Sequence, residues 1–223
     1  MLSLFPIPSF STKFWRGKHA ISSSSSRTLL ILCRGKRICR EELLKYTNSR
    51  FLVKAKELCD QRYLKFDLDQ LCAVAASAGS SKSPIRTIEK IEGGFSKALL
   101  ISKEDGTEVV AKLSFSIAGP PRYLIASEAA VLQYFHNHTT VLVPKVLAWN
   151  ADSSNLVGAE YIIMEKAVGC QLVKKWGEME DLSYFEFIKN LCEIEADLAA
   201  ITFPAHGSLY LRELIGLATS TDL

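Results

Sequence analysis

No aspartate or glutamate occurs in the first 40 residues of this chain of 223. The same 40 residues contain eight lysines and arginines, whereas the net charge of the whole chain is only +3. The remaining 183 residues therefore carry a net charge of −5. A folded part of that sign has no general electrostatic attraction for nucleic acid, so we expect no nucleic-acid partner.

Long apolar runs are also missing. A membrane-spanning helix needs about 20 apolar residues in succession, and the sequence contains no such stretch. The six cysteines are too few and too widely spaced for a disulfide scaffold, and none has the C-x-x-C spacing of zinc or redox sites. The sequence therefore predicts a globular chain without a transmembrane segment or a metal site.

Residues 1–40 have the composition of an organelle transit peptide, because they are basic, free of acids and rich in serine, with a run at Ser22–Ser26. A secretory signal is one alternative, but its apolar core would be Leu29–Cys33, which is short and far from the first residue. A basic tail without a targeting role is a second alternative. We expect mitochondrial localisation, and we expect residues 1 to about 40 to be dispensable for folding.

The remaining sequence predicts an α+β fold with the order helix, three strands, helix, two strands, helix. Asp67 is a suitable N-cap for a short helix that ends at Gly79. Three runs of apolar and β-branched residues follow within 85–115, and the pair Asp105–Gly106 between two of them is typical of a hairpin. This region therefore predicts an antiparallel sheet of three strands.

The second half of the predicted fold follows a helix-breaking segment at Ala118–Pro121. Its predicted elements are a helix from about Tyr123 to His136, strands at Lys145–Asn150 and Glu160–Glu165, and a helix from Leu182 to Ile201. The complete sheet would then have about five strands, with one helix packed on it and further helices at its flanks.

A glutamate and a lysine occupy positions where the residue patterns predict burial. Glu128 lies four residues after Leu124 and three before Val131, which places it on the apolar face of its helix. Lys112 lies within the strand sequence Val109–Leu113. Because an unpaired buried charge is costly, we expect the two residues to form an ion pair, and loss of Glu128 to cost about 3–5 kcal/mol.

A glycine turn precedes the lysine strand by one hairpin, in the sequence Glu92–Ser96 with its Gly-Gly pair. Glycines allow the backbone to approach a ligand closely, and the N–H groups of such a turn can bind phosphate oxygens. A lysine whose position is fixed by a glutamate can then contact the same phosphates. Each feature alone is common in proteins without a nucleotide site, but their order along the chain indicates nucleotide binding.

These residues resemble the small lobe of the protein-kinase-like fold, in the branch of aminoglycoside phosphotransferase-like enzymes. Over roughly residues 44–214, the chain is more closely similar to the fungal "altered inheritance of mitochondria protein 9" group. The segments that carry this resemblance are, in order, YTNSRFL, EGGFSKALLI, VVAKL, ASEAAVLQYF, VPKVLAWN, VGAEYIIMEKAVG and FPAHGSLYL.

The resemblance implies ATP as the ligand and three groups of residues that bind it. The turn would cover the phosphates, the lysine of the ion pair would contact the α- and β-phosphates, and the hinge would meet the adenine through its backbone. The residues are Gly93, Gly94, Phe95 and Ser96 in the turn, Lys112 and Glu128 in the ion pair, and Met164, Glu165 and Lys166 in the hinge.

The residues that would catalyse phosphoryl transfer are missing from the sequence. This reaction needs an aspartate that accepts the hydroxyl proton, and an asparagine and a second aspartate that hold Mg²⁺. His206–Ser208 begins like the H-G-D-type loop of the family, but Ser208 replaces the aspartate and no asparagine follows. We therefore assign no catalytic residue, and we expect Mg²⁺ to bind only when a large catalytic lobe is supplied.

Two functional hypotheses follow. The first is a truncated or partial mitochondrial phosphotransferase-like protein that binds ATP weakly and lacks the large lobe. The second is a non-catalytic module that binds a nucleotide or a protein partner, or associates with itself through an exposed face. The expected organisation is a leader at 1–40, a helical extension at 41–84, a kinase-like small lobe at 85–166, and a hinge, linker and first helix toward a missing large lobe at 167–223.

Overall fold

The computed structural model of the protein describes residues 29–48 and 51–211. These residues form an α+β structure with one mixed sheet. Its strands are β1 (Leu30–Cys33), β2 (Lys36–Arg37), β3 (Ile85–Glu92), β4 (Ser96–Lys103), β5 (Glu108–Ser114), β6 (Val146–Asn150) and β7 (Tyr161–Glu165). Its α-helices are α1 (Arg40–Leu44), α2 (Ala55–Asp60), α3 (Leu68–Ser77), α4 (Pro121–His138) and α5 (Asp181–Ala199).

The seven strands lie in the order β2-β1-β3-β4-β5-β7-β6. Neighbouring strands are antiparallel except for β1 and β3, which run parallel. Buried and partly exposed residues alternate along β4 and β5, as expected for strands whose two faces meet different surroundings. The sheet therefore presents two distinct faces to the helices.

The larger core lies on the face that α1 and α3 cover. It includes Leu43 of α1 and Leu71 of α3, which are fully buried together with Leu99 and Ile101 of β4. Helix α4 covers part of the opposite face, where its Ile125 belongs to a smaller core cluster with residues of β7. Because α4 is one helix on a broad sheet, part of this second face stays open.

Several predicted elements are confirmed. The side chain of Asp67 accepts a hydrogen bond from the Gln70 N–H at 3.0 Å and caps α3. Gly106 has a φ of +86° in the turn between β4 and β5, a conformation that favours glycine, as the hairpin prediction required. The two later strands and the long helices also lie where the sequence predicts them, with ends shifted by a few residues.

The predicted strand number and the extent of the leader need correction. The sheet has seven strands rather than about five, because residues 29–40 contribute β1 and β2. Ile31 is only 4% exposed and pairs with Ile88 of β3. The apolar run that is too short for a signal core is long enough for a strand. Residues 29–40 are therefore part of the folded sheet, which argues against their being dispensable for folding, while residues 1–28 lie outside the described part.

Candidate functional site

The predicted ion pair is present at the centre of the site. Lys112 Nζ donates hydrogen bonds to both carboxylate oxygens of Glu128, at 2.6 and 2.8 Å. Alternation along β5 turns Val109 and Ala111 toward the large core and Lys112 toward the opposite face, where α4 lies. The two side chains keep 29% and 31% of their surface exposed, so the pair lies at the edge of the core.

The apolar face predicted for α4 is wrong. The buried residues of this helix are Ile125, Ala126, Ala129 and Ala130, whereas Leu124 and Val131 stay partly exposed. Small alanines allow the helix to approach the sheet closely. The face of α4 that contains the alanines therefore packs on the sheet, and the face with larger side chains does not. Glu128 consequently borders the contact between helix and sheet and reaches Lys112 from the side.

A cavity of about 460 Å³ adjoins the ion pair. The strands β4 and β5 and the first turns of α4 form its walls, and Tyr210 closes one side with its ring edge-on to that of Tyr123 at 6.4 Å. Ser114 and Ser127 also belong to the lining. The cavity therefore combines a paired cation with polar and aromatic groups.

The glycine turn borders the same cavity. Gly93 N–H donates to the Ser96 carbonyl at 2.9 Å, and both Phe95 and Ser96 line the cavity. Neither Gly93 nor Gly94 has a positive φ, so the conformation of the turn does not itself demand glycine. A Cβ atom added at Gly94 would meet no atom within 4 Å. Neither Gly93 nor Gly94 lines the cavity itself, and the space beside Gly94 is open.

The open face of the sheet continues the site away from α4. Cross-strand pairing aligns Ile91, Ala98, Lys112 and Ile162 in one row across four strands. Ile91 is 49% exposed, which shows that this row is uncovered at the β3 end. Lys112 therefore lies between the uncovered end of the row at Ile91 and its buried end at Ile162, which is 0% exposed.

The predicted hinge residues lie apart from this cavity. Met164 is buried in β7 opposite Val110, and its neighbour Glu165 uses its N–H to donate to the Lys145 carbonyl at 3.0 Å. Lys166 Nζ donates to Glu108 Oε2 at 2.6 Å. The structure thus brings Phe95 and Ser96 of the turn together with the ion pair around one cavity. Its lining includes neither the two glycines of the turn nor the predicted hinge residues.

A buried charge cluster behind the turn was not predicted. Glu92 is 2% exposed at its side chain and lies 3.4 Å from Lys90 Nζ and 3.5 Å from Lys97 Nζ. Thr47 adds two hydrogen bonds to the same carboxylate, from its N–H at 2.8 Å and its hydroxyl at 3.0 Å. Burial lowers the pKa of Lys97 from its ordinary 10.5 to about 8, although the charge of Glu92 opposes this shift.

The buried lysines end on backbone carbonyls of the helices that cover the sheet. Lys97 Nζ donates to the Leu43 carbonyl at the end of α1 at 2.6 Å, and Lys103 Nζ donates to the Ala78 carbonyl after α3 at 2.7 Å. A signal for this was present in the sequence. Lys97 and Lys103 lie two residues before and after the buried pair Leu99 and Ile101, in phase with the core face of β4.

The described residues show no alternative site for a metal or a membrane span. No group of three or more histidines, cysteines or acids within residues 29–48 and 51–211 is arranged to hold a metal ion. Among the helices of that same part of the chain, none combines the length and apolar content that a membrane span requires.

The curated relatives of this chain include proteins of the following two descriptions. A "subtelomeric hrmA-associated cluster protein" of Aspergillus fumigatus is 37% identical over 122 residues, which are 55% of this chain and 24% of the relative. The "altered inheritance of mitochondria protein 9, mitochondrial" of Candida tropicalis is 27% identical over 148 residues, or 62% of this chain and 24% of the relative. The protein of the same name from Yarrowia lipolytica is 25% identical over 192 residues, or 78% and 33%.

The chain thus spans about a quarter of the length of the curated relatives it matches first. No family model and no solved structure matches it. The resemblance to the group named altered inheritance of mitochondria protein 9 is confirmed, and that name agrees with the mitochondrial location predicted from the leader. The kinase-like fold and ATP binding stay predictions.

Proposed function

We propose that this chain contains the nucleotide-binding lobe of a mitochondrial phosphotransferase-like protein, and that this lobe binds ATP weakly without transferring its phosphate. The observation that carries the proposal is the Lys112–Glu128 pair at 2.6 Å beside a cavity that the glycine turn borders. A lysine held by a carboxylate next to a glycine turn is the arrangement that kinases use to contact nucleotide phosphates. The mitochondrial part of the proposal is supported by the leader and by the names of the yeast relatives.

The ligand chemistry follows from the groups around the cavity. Lys112 would supply positive charge to the phosphates. Glu128 would hold the ammonium group of Lys112 in place at the edge of the cavity. The space beside Gly94 would admit a phosphate close to the backbone. The uncovered apolar row that begins at Ile91 would suit the flat base.

Catalysis would require a proton acceptor and Mg²⁺ ligands, which we assign to other segments of the longer relatives. Phosphoryl transfer depends on an aspartate base and on side chains that hold Mg²⁺. No group of three or more histidines, cysteines or acids within residues 29–48 and 51–211 is arranged to hold a metal ion. We assign these groups to the segments of the longer relatives that the chain does not match. On this proposal the chain alone binds ATP and does not turn it over.

Titration calorimetry with ATP tests the proposal. We expect Lys112→Met to weaken ATP binding by at least about tenfold, because a hydrogen bond to a charged group contributes about 1.5–3 kcal/mol. Gly94→Ala should weaken binding without changing the thermal unfolding temperature, since the added methyl group meets only empty space. Lys175→Met is the matched control, because Lys175 pairs with the exposed Glu178. Equal affinity in Lys112→Met and the control would contradict the proposal.

A second candidate function, a partner-binding module, is favoured by helix α5. Leu182, Phe185 and Ile188 of this helix are 76%, 69% and 52% exposed, and α5 contains no buried residue. Exposed apolar side chains in such a row favour association with another protein surface. Sedimentation over a concentration series separates the two functions: association that Phe185→Ser abolishes, together with no ATP binding, would select the module.

A further inference from the structure

The glycine turn is held from outside by a residue of the N-terminal extension. Arg62 follows α2, and its Nε donates a hydrogen bond to the Gly94 carbonyl at 3.1 Å across 32 residues of sequence. Neither the glycine motif nor the family resemblance points to this arginine. Its contact with the centre of the turn is therefore a feature that only the structure reveals.

Arg62 is itself fixed before it reaches the turn. Its NH1 group donates to the Leu58 carbonyl of α2 at 2.7 Å. Its guanidinium lies over the ring of Phe51 at 4.7 Å and over that of Tyr46 at 5.4 Å. A planar guanidinium that stacks on rings and donates in two directions has little freedom left. Arg62 consequently presents a rigid donor to the turn.

The bond to Gly94 controls the neighbouring amide. The carbonyl of Gly94 and the N–H of Phe95 belong to one planar trans peptide, so they point in opposite directions. With the carbonyl directed at Arg62, the Phe95 N–H is directed away from the extension. Glycine lacks a Cβ atom and allows such a peptide to rotate easily. Arg62 removes that freedom at the position where the turn borders the cavity.

The strand before the turn is anchored to the same extension. Glu92 accepts two hydrogen bonds from Thr47, and its lysine partner Lys97 donates to the carbonyls of Leu43 and Leu44 at 2.6 and 2.9 Å. The start of the turn is thus fixed by the buried carboxylate of Glu92, and its centre is fixed by Arg62. Both contacts come from residues 43–62, which lie outside the predicted small lobe.

We propose that Arg62 is a positioning residue that orients the Phe95 N–H for binding the phosphates of a nucleotide. This inference rests on the proposed function, because it assigns phosphate as the ligand of the turn. The guanidinium acts through the Gly94 peptide and makes no contact with the ligand. The N-terminal extension is then part of the binding site and more than a cover for the sheet.

The test compares ADP with adenosine on the full chain. Arg62→Met should weaken ADP binding by at least about tenfold, the effect of losing roughly one charge-assisted contact, and should leave adenosine binding within about twofold. Arg62→Lys keeps the charge and loses the planar stack, so we expect an intermediate loss; it also replaces the methionine variant should that chain fail to fold. Arg40→Met is the control, because Arg40 pairs with the exposed Asp69 in the same extension. Equal losses for ADP and adenosine would overturn the inference.

A second measurement does not depend on any nucleotide. The NMR order parameter of the Phe95 amide should be near 0.85, a rigid value, in the unmodified chain and below about 0.6 in Arg62→Met, while Leu99 in β4 stays rigid in both. An unchanged value at Phe95 would overturn the role of Arg62. Absence of ADP binding by the unmodified chain would instead overturn the proposed function and the phosphate assignment, so the two failures are distinguishable.

Discussion

Lys112 and Glu128 form a two-pronged ion pair that joins strand β5 to helix α4, with Nζ to oxygen distances of 2.6 and 2.8 Å. Each side chain keeps close to a third of its surface exposed. The pair is therefore accessible from the cavity and not sealed in the core. An accessible lysine whose position is fixed by a carboxylate is better suited to binding an anion than to stabilising the fold.

Loss of Glu128 should have a small effect on stability. The sequence alone predicts a cost of about 3–5 kcal/mol, because it places the pair in the core. With 29% and 31% of the side chains exposed, water can solvate the remaining lysine, and we expect Glu128→Ala to lower the free energy of unfolding by about 1 kcal/mol or less. Urea unfolding measures this value. A loss above about 3 kcal/mol would show that the pair is effectively buried.

Loss of the Glu92 charge should have a large effect. Glu92 is 2% exposed and lies within 3.5 Å of two buried ammonium groups, those of Lys90 and Lys97. Glu92→Gln leaves both cations without a counter-charge, so we expect the free energy of unfolding to fall by about 3–5 kcal/mol. Glu178→Gln is the matched control, because Glu178 pairs with Lys175 at 2.8 Å on the surface. Similar urea midpoints for the two variants would refute the prediction.

The sequence predicts the local features of this fold well. The Asp105–Gly106 hairpin and the cap at Asp67 depend on interactions between residues close in the chain, and both are present. The Lys112–Glu128 pair is also present, although the reasoning that predicted it placed Glu128 on the wrong face of α4 and both charges in the core. Each of these predictions required only the period of a helix or strand and the cost of burial.

Features that depend on distant segments could not be predicted. The parallel pairing of β1 with β3 joins Ile31 to Ile88, and no turn signal marks such a contact. The buried face of α4 follows from how closely its alanines approach the sheet, which helical spacing alone does not specify. The contact of Arg62 with Gly94 depends on the path of residues 51–66, whose mixed composition shows no clear period.

The titration of Lys97 should make stability rise with alkaline pH. Its pKa is about 8 in the folded chain and 10.5 ordinarily, chiefly because burial disfavours its charge. Between these values the unfolded chain holds a proton that the folded chain has released, so the free energy of unfolding increases as pH rises from about 8 to 10.5. Below pH 8 the full penalty is present.

The difference in unfolding free energy between the unmodified chain and Lys97→Met isolates this effect from other titrating groups. Urea unfolding from pH 7.5 to 10.5 should show the unmodified chain gaining stability relative to the variant across that window. A constant difference would show that Lys97 keeps its ordinary pKa despite its contacts with the carbonyls of Leu43 and Leu44.

Two truncations should separate targeting from folding within the first 40 residues. Residues 29–40 contain β1 and β2, and Ile31 alone contributes about 1.5–3 kcal/mol through its burial. We expect a chain of residues 29–223 to unfold at the same urea concentration as the full chain, and a chain of residues 41–223 to be less stable by at least about 2 kcal/mol. A reporter fused to residues 1–28 should still enter mitochondria, because this segment keeps four of the eight basic residues and contains no acid. The four are Lys13, Arg16, Lys18 and Arg27. Equal stability of both truncated chains would show that residues 29–40 do not contribute to the stability of the fold. A reporter that stays in the cytosol would contradict targeting by residues 1–28.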